Sequence, residues 1–193
     1  MKNTKIKKIL VPVDFTAASD NAIAAAASLA VLMKSDIYLV HVFESSNYSY
    51  SVFAKTEALL PSFVEIKKSI GAKMEDLKEH MIKKYNLKCS VVVLSGHIHS
   101  EIYKFSTKKK VDLIVMGTHG VSGYKEFFIG SNAQRLVTVS DIPVLTIPQK
   151  SKNTSFKNIL IPIDNSVHSR AKVNIAMVIA DQYNANIHLI GLP

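Results

Sequence analysis

The sequence is poor in several things, and each scarcity excludes something. Its 193 residues include one cysteine, Cys89, so no intrachain disulfide can form and a reducing, cytoplasmic setting is expected. No apolar run approaches the roughly 20 residues needed to span a bilayer, so no membrane role is expected. Acidic side chains number 15 against 24 lysines and arginines, a formal charge of +9. Such a balance points towards nucleic acid, acidic membranes or phosphorylated ligands. The lysines are scattered, however, as Lys5/Lys7/Lys8, Lys67/Lys68, Lys83/Lys84 and Lys108/Lys109/Lys110. None of these groups is interleaved with aromatics in the manner of a single-strand-binding platform. They read as solvated helix ends and strand entrances, and nucleic acid is not the expected partner. Glycine is also sparse, with seven in all, yet four of them fall in "GTHGVSGYKEFFIGS" (117–131).

What is present is core-forming material. The hydrophobic fraction is 48%, ample for a packed interior and contrary to disorder. The opening "MKNTKIKKILVPVD" is basic and then apolar. Its apolar run is short, holds Pro12 and ends on Asp14, with no small-residue cleavage site after it. It reads as a first strand rather than a leader.

Short apolar runs then alternate with segments of helical period. Strands are expected at 6–14, 36–44, 88–96, 111–117 and 142–148. Helices are expected at 16–35, capped by Thr16 or Ser19, and at 65–86, 100–110 and 131–140. Residues 45–62 read as a polar, tyrosine-bearing loop. Near-continuous Val/Ile/Leu strands separated by helices indicate an open α/β domain over residues 1–148, with a parallel sheet covered on both faces.

A repeat follows. "KKILVPVDFTAAS" (7–19) returns as "KNILIPIDNSVHS" (157–169), and Ala26, Ala30, Ile37 and Leu39 recur without a gap as Ala176, Ala180, Ile187 and Leu189. Residues 149–156 read as a linker, and 157–193 as the strand–helix–strand start of a second copy. A βαβ unit alone cannot cover both faces of its strands. The expectation is a natural chain continuing beyond Pro193, to about 280–300 residues.

In an open parallel sheet, ligands bind beyond the carboxyl ends of the strands, where the strand order reverses. Asp14, Val42, Gly96 and Gly117 all stand at such ends. Glycine lets a backbone approach a bulky anion. Gly117 and Gly120 are expected to turn the chain off the fourth strand. Gly130-Ser131 then opens a helix whose first N–H groups and dipole favour a phosphate. On composition alone, ordinary turn glycines explain the pattern nearly as well. Among other candidates, "GHIHS" sets His97 and His99 two apart with only Glu101 nearby, which suits a loop better than a metal site. Cys89, Met74 and Met81 read as core residues.

"ILVPVDFTAAS", "LVHV" and "GTHGVSGYKEFFIGS" together resemble the universal stress protein family. Gly-x-x-Gly, nine residues, then Gly-Ser is the signature of its ATP-binding branch. The resemblance spans residues 5–148, and 157–192 as the start of a second copy. It implies a five-stranded parallel sheet ordered 3-2-1-4-5, with helices on both faces. It also implies that Pro12, Val13 and Asp14 border an adenosine and that the Val42 backbone reads the adenine edge. Gly117, His119, Gly120, Gly130, Ser131 and Asn132 would surround ribose and phosphates. Asn132 departs from the small apolar residue usual there. Asp14 would hold the ribose, the base or a phosphate-bound divalent ion such as Mg or Mn; a turn-capping role stands beside these. Asp164, the same position in the partial copy, lacks a glycine loop and is not expected to bind.

The resulting expectation is an ATP-binding regulatory, stress-response module. The loop has no Walker Lys-Ser/Thr pair, and no general base or arginine finger is evident, so hydrolysis should be slow at most. The alternative is a dimeric scaffold of the same family that binds no nucleotide. The family pairs through its last strand, here 142–148, which implies a homodimer.

Overall fold

The computed structural model describes residues 5–44, 63–118, 130–151, 155–164 and 167–191. The expected loop at 45–62 and most of the glycine loop, with His119 and Gly120, lie outside them. β1 (Lys8–Pro12), β2 (Asp36–Phe43), β3 (Cys89–Ser95), β4 (Leu113–Gly117) and β5 (Val144–Ile147) form one parallel sheet in the order β3-β2-β1-β4-β5. The intervening helices are α1 (Ala17–Met33), α2 (Phe63–Tyr85), α3 (Ile98–Lys109) and α4 (Ser131–Val139). This is the α/β architecture and strand order expected from the sequence.

Period-two alternation splits the strands between two cores. Ile9 and Val11 of β1, with Ile37 and Leu39 of β2, face α1 and α2, where Met74 and Met81 are buried. Leu10 and Val40 face the other way, against Ile102 of α3 and Leu136 of α4. Alanines at 22, 25, 26 and 30 of α1 are fully buried, so this helix lies close to the sheet. Thr16 caps it, its hydroxyl accepting from the Ser19 N–H at 3.3 Å, and Lys34 ends it in the left-handed conformation. Cys89 is buried in the same layer, and burial pushes its thiol up to about 11, leaving it protonated and inert at neutral pH.

The strands are shorter than their apolar runs. Ile6 and Val13 are buried but lie outside the ladders, because hydrophobicity marks burial and not hydrogen-bond pairing. α3 starts two residues earlier than expected. His97 is therefore its N-cap and His99 lies in its first turn, a correction to the loop reading of this pair. Their rings stack 6.5 Å apart. Among the described residues no group of three His, Cys, Asp or Glu is placed to hold a metal, and no helix is long and apolar enough to cross a membrane.

Beyond the first sheet, β6 (Asn158–Ile163), α5 (Val167–Tyr183) and β7 (Asn186–Gly191) form a parallel two-stranded unit. Each element begins 150 residues after its counterpart: Lys8 to Asn158, Ala17 to Val167, Asp36 to Asn186. Even the left-handed residue after the helix recurs, Lys34 as Asn184. α5 packs against the α1 layer through Ile179 and Tyr183. The Tyr183 hydroxyl lies 2.9 Å from that of Ser28, and its ring meets Phe156 edge-on at 5.2 Å.

Candidate functional site

β2 leads off to one side of β1, whereas β4 lies on the other, so the strand order reverses between β1 and β4. A crevice of about 290 Å³ opens there, at the carboxyl ends of the strands, near the lower end of small-molecule pocket sizes. Eight of the ten residues singled out from sequence line it: Pro12, Val13, Asp14, Val42, Gly117, Gly130, Ser131 and Asn132. The other two, His119 and Gly120, fall outside the described residues.

The wall on the β1 side is a tight turn. The Val13 N–H still donates to the Val40 carbonyl at 2.9 Å, after which the chain leaves the sheet. Asp14 Oδ1 accepts from the Thr16 N–H at 3.0 Å and from its hydroxyl at 2.6 Å, and the Asp14 N–H donates to Ser19 Oγ at 3.3 Å. These bonds hold Phe15 at φ 62, a conformation costly for a bulky side chain. Its ring lies 5.2 Å from His41. Asp14 thus caps the turn, and the same bonds fix its carboxylate at the rim of the crevice.

β2 outlasts β1 here. Asp36 and Val40 bond towards β1, through the Lys7 and Val13 pairs, whereas Ile37 and Phe43 bond towards β3. Because a strand's amide edges alternate, the N–H and C=O of Val42 point to the β1 side, beyond the last β1 partner at Val40. They face the crevice. His41 Nδ1 donates to the Val13 carbonyl at 2.8 Å, since a carbonyl can only accept, and this pins the ring beside it.

The β4 wall corrects two details of the sequence reading. Gly117 does not turn the chain; it is the last residue of β4, paired with Ile147. It is glycine because a Cβ there would meet the Ala18 backbone of α1 at 2.7 Å. Close packing against α1 demands it. The Gly130 N–H is also committed, donating to the Thr118 carbonyl. The amides left to the crevice belong to Ser131, Asn132 and Ala133, ahead of the first helical bond from Gln134 to Gly130. Among the described residues no side chain caps this helix start, and free amides at a helix start can take an anion.

Between these walls the floor is apolar, built from Val40, Met116, Ile98 and Ile102. Sequence reasoning missed the two α3 isoleucines, although their i, i+4 spacing directly after the third strand carries the signal. The described lining contains no lysine or arginine. Such a crevice can hold a flat apolar group beside a row of main-chain donors.

Known proteins share this plan. The profile of the universal stress protein family matches residues 5–148. The universal stress protein MJ0531 of Methanocaldococcus jannaschii is 30% identical over 146 residues, 76% of this chain and 84% of that protein. A universal stress protein structure from Archaeoglobus fulgidus is similar over 100% of this chain and 68% of its own, with a TM-score of 0.73 and 19% identity. A universal stress protein solved in complex with cAMP is similar over 76% of this chain and 99% of its own, with a TM-score of 0.55 and 15% identity. Sequence and fold agree, and the chain belongs to the universal stress protein family.

Proposed function

We propose that this protein is an ATP-binding member of its family, a regulatory module rather than a fast enzyme. One observation carries the reading: the uncapped start of α4 and the ladder-free backbone edge of Val42 face one crevice across an apolar floor. In this reading the Val42 N–H and C=O meet the adenine edge, and Pro12, Val13 and Asp14 border the ribose. The amides of Ser131, Asn132 and Ala133 meet phosphate, and His119 and Gly120 are assigned to the same ligand from the sequence motif alone. Mg or Mn would accompany the phosphates, Asp14 being the carboxylate at hand. The cAMP complex of a protein with the same fold supports an adenine nucleotide as occupant. Main-chain donors bind a phosphate tail without driving its transfer, and among the described residues no lysine or arginine lines the crevice.

Isothermal titration with ATP on the wild type and on Gly130→Glu tests this. Gly130 has φ −53 and ψ 146, open to any residue. A carboxylate there favours the helix start while repelling phosphate. The expected result is saturable binding by the wild type and at least tenfold weaker binding by the variant, with melting unchanged. No binding heat in the wild type overturns the proposal, and turnover near 10 per second, typical of enzymes, overturns the regulatory part.

A second reading within the family is a homodimeric scaffold with an empty crevice. β5 is the last strand of its sheet, and its outer edge can pair with a second copy; light scattering reads the outcome. The 150-residue offset of β6–α5–β7 supports assigning 157–193 to a second copy of the domain, after a linker at 149–156.

A further inference from the structure

In a parallel sheet every strand is entered from the same end, so segments remote in sequence meet there. At this end the lysine groups, separate in the sequence, converge. Lys5, Lys7 and Lys8 lead into β1, Lys34 into β2 and Lys88 into β3. Lys108–Lys110 lead into β4, Lys83 and Lys84 close α2, and Lys157 precedes β6. All are exposed except the half-buried Lys8. Asp36, Asp112, Asp141 and Asp181 are the acids at this end. All four accept hydrogen bonds within the chain, Asp36 from Lys88 at 3.2 Å, Asp112 from the Lys7 and Lys8 N–H groups at 2.8 and 2.9 Å, Asp141 from the Tyr103 hydroxyl at 3.2 Å and Asp181 from Gln182 at 3.1 Å. Among the described residues only Asp36 pairs with a lysine side chain.

Helix C-termini attract cations, which accounts for Lys34, Lys83, Lys84, Lys108 and Lys109. It does not account for Lys5, Lys7, Lys88 and Lys157, which precede strands. The surface is also concave. A groove of about 1130 Å³ runs between the start of β1 and α5; four lysines, Lys5, Lys7, Lys8 and Lys34, line its sheet side with Asp36, against one acid, Asp181, on the α5 side, where Met177 and Val178 make the wall partly apolar. We propose that this end docks the phosphate backbone of a nucleic-acid duplex, without reading its bases. A rod-shaped polyanion lies along a groove, whereas a plane of lipid headgroups touches only its rims. Lysines act as point charges on phosphates. Neither arginine belongs to this end: Arg135 lies midway along α4 and Arg170 in the first turn of α5. Tyr85 and Phe105 are half-buried and overlaid by Lys84 and Lys109 at 5.1 and 5.9 Å, so neither offers an open stacking face to single strands. The end lies opposite the crevice, so nucleotide and duplex need not compete.

Fluorescence anisotropy with a labelled duplex of arbitrary sequence, about 20 base pairs long, at about 50 and 200 mM salt tests this. Two triple variants remove equal charge: Lys5→Gln/Lys7→Gln/Lys108→Gln at the proposed surface, and Lys67→Gln/Lys68→Gln/Lys104→Gln away from it. The first should weaken binding about tenfold at the lower salt and cut the salt slope by about two to three. The second should change affinity less than threefold. Independently, bound duplex should protect Lys5, Lys7 and Lys108 of the wild type from acetylation. The proposal fails if the wild type shows no binding at about 100 μM protein and 50 mM salt, or if both triples weaken binding equally. Binding to phosphatidylserine vesicles with none to the duplex would replace it with a membrane surface.

Discussion

One strand–helix–strand pattern occurs twice in this chain, in two different settings. In β1–α1–β2, Leu10 and Val40 are fully enclosed beneath α3 and α4. At the same repeat positions in β6–α5–β7, Leu160 is 61% exposed and Ile190 46%. Backbone register, helix length and left-handed helix end are alike in both. Local structure therefore follows from local sequence, but burial does not. A buried face requires a second layer, and among the described residues only the first unit has one on both sides. In the second unit α5 covers one face of the two strands and docks in turn against α1.

The sharpest way to break this comparison is truncation at matched positions. Leu10→Ala should cost about 2–5 kcal/mol in urea unfolding, and Leu160→Ala no more than about 0.5. Equal losses would mean that the Leu160 face is covered in solution. Gly117→Ala comes next, because its methyl must push α1 away from β4 where the second unit has no such contact. A loss of about 1–3 kcal/mol is expected, with weaker nucleotide binding by titration. Tyr183→Phe severs the hydroxyl bridge to Ser28 between the units. It should cost about 1 kcal/mol and raise proteolytic cleavage around 155–191 before the first unit opens.

The smallest expected effect is on pH dependence. Burial raises the Cys89 thiol to about 11 and shifts Tyr183 upward as well. Both groups ionise first in the unfolded chain. Stability is therefore full below about pH 9 and falls as the pH climbs towards 11. Thermal melts of Cys89→Ala across that window should show a shallower decline than the wild type. An unchanged slope would mean that the thiol is not desolvated.

Much of this was legible in advance. Short apolar runs, helical spacing and the 150-residue repeat revealed every described element, because burial within a sheet or against a helix leaves that imprint on side chains. Boundaries were less visible. Ile6 and Val13 are as apolar as their neighbours, yet they lie outside the ladder. The strand-end rule singled out Asp14 and Val42, the glycine loop Ser131 and the family resemblance Pro12, and all four line one crevice. The strand-end rule could not show that Gly117 serves helix packing, because the Ala18 backbone that demands it lies 99 residues earlier in the chain.

By itself the amino-acid order determined the alternation of short apolar strands and amphipathic helices. Through right-handed parallel crossovers, it also determined that all strand exits share one edge of the sheet. Only the tertiary structure decided which amides remain open to a ligand, which face of a repeated unit stays bare, and that dispersed lysines share one surface. Those properties depend on neighbours brought together across the sheet, and no local run of residues encodes its distant partner.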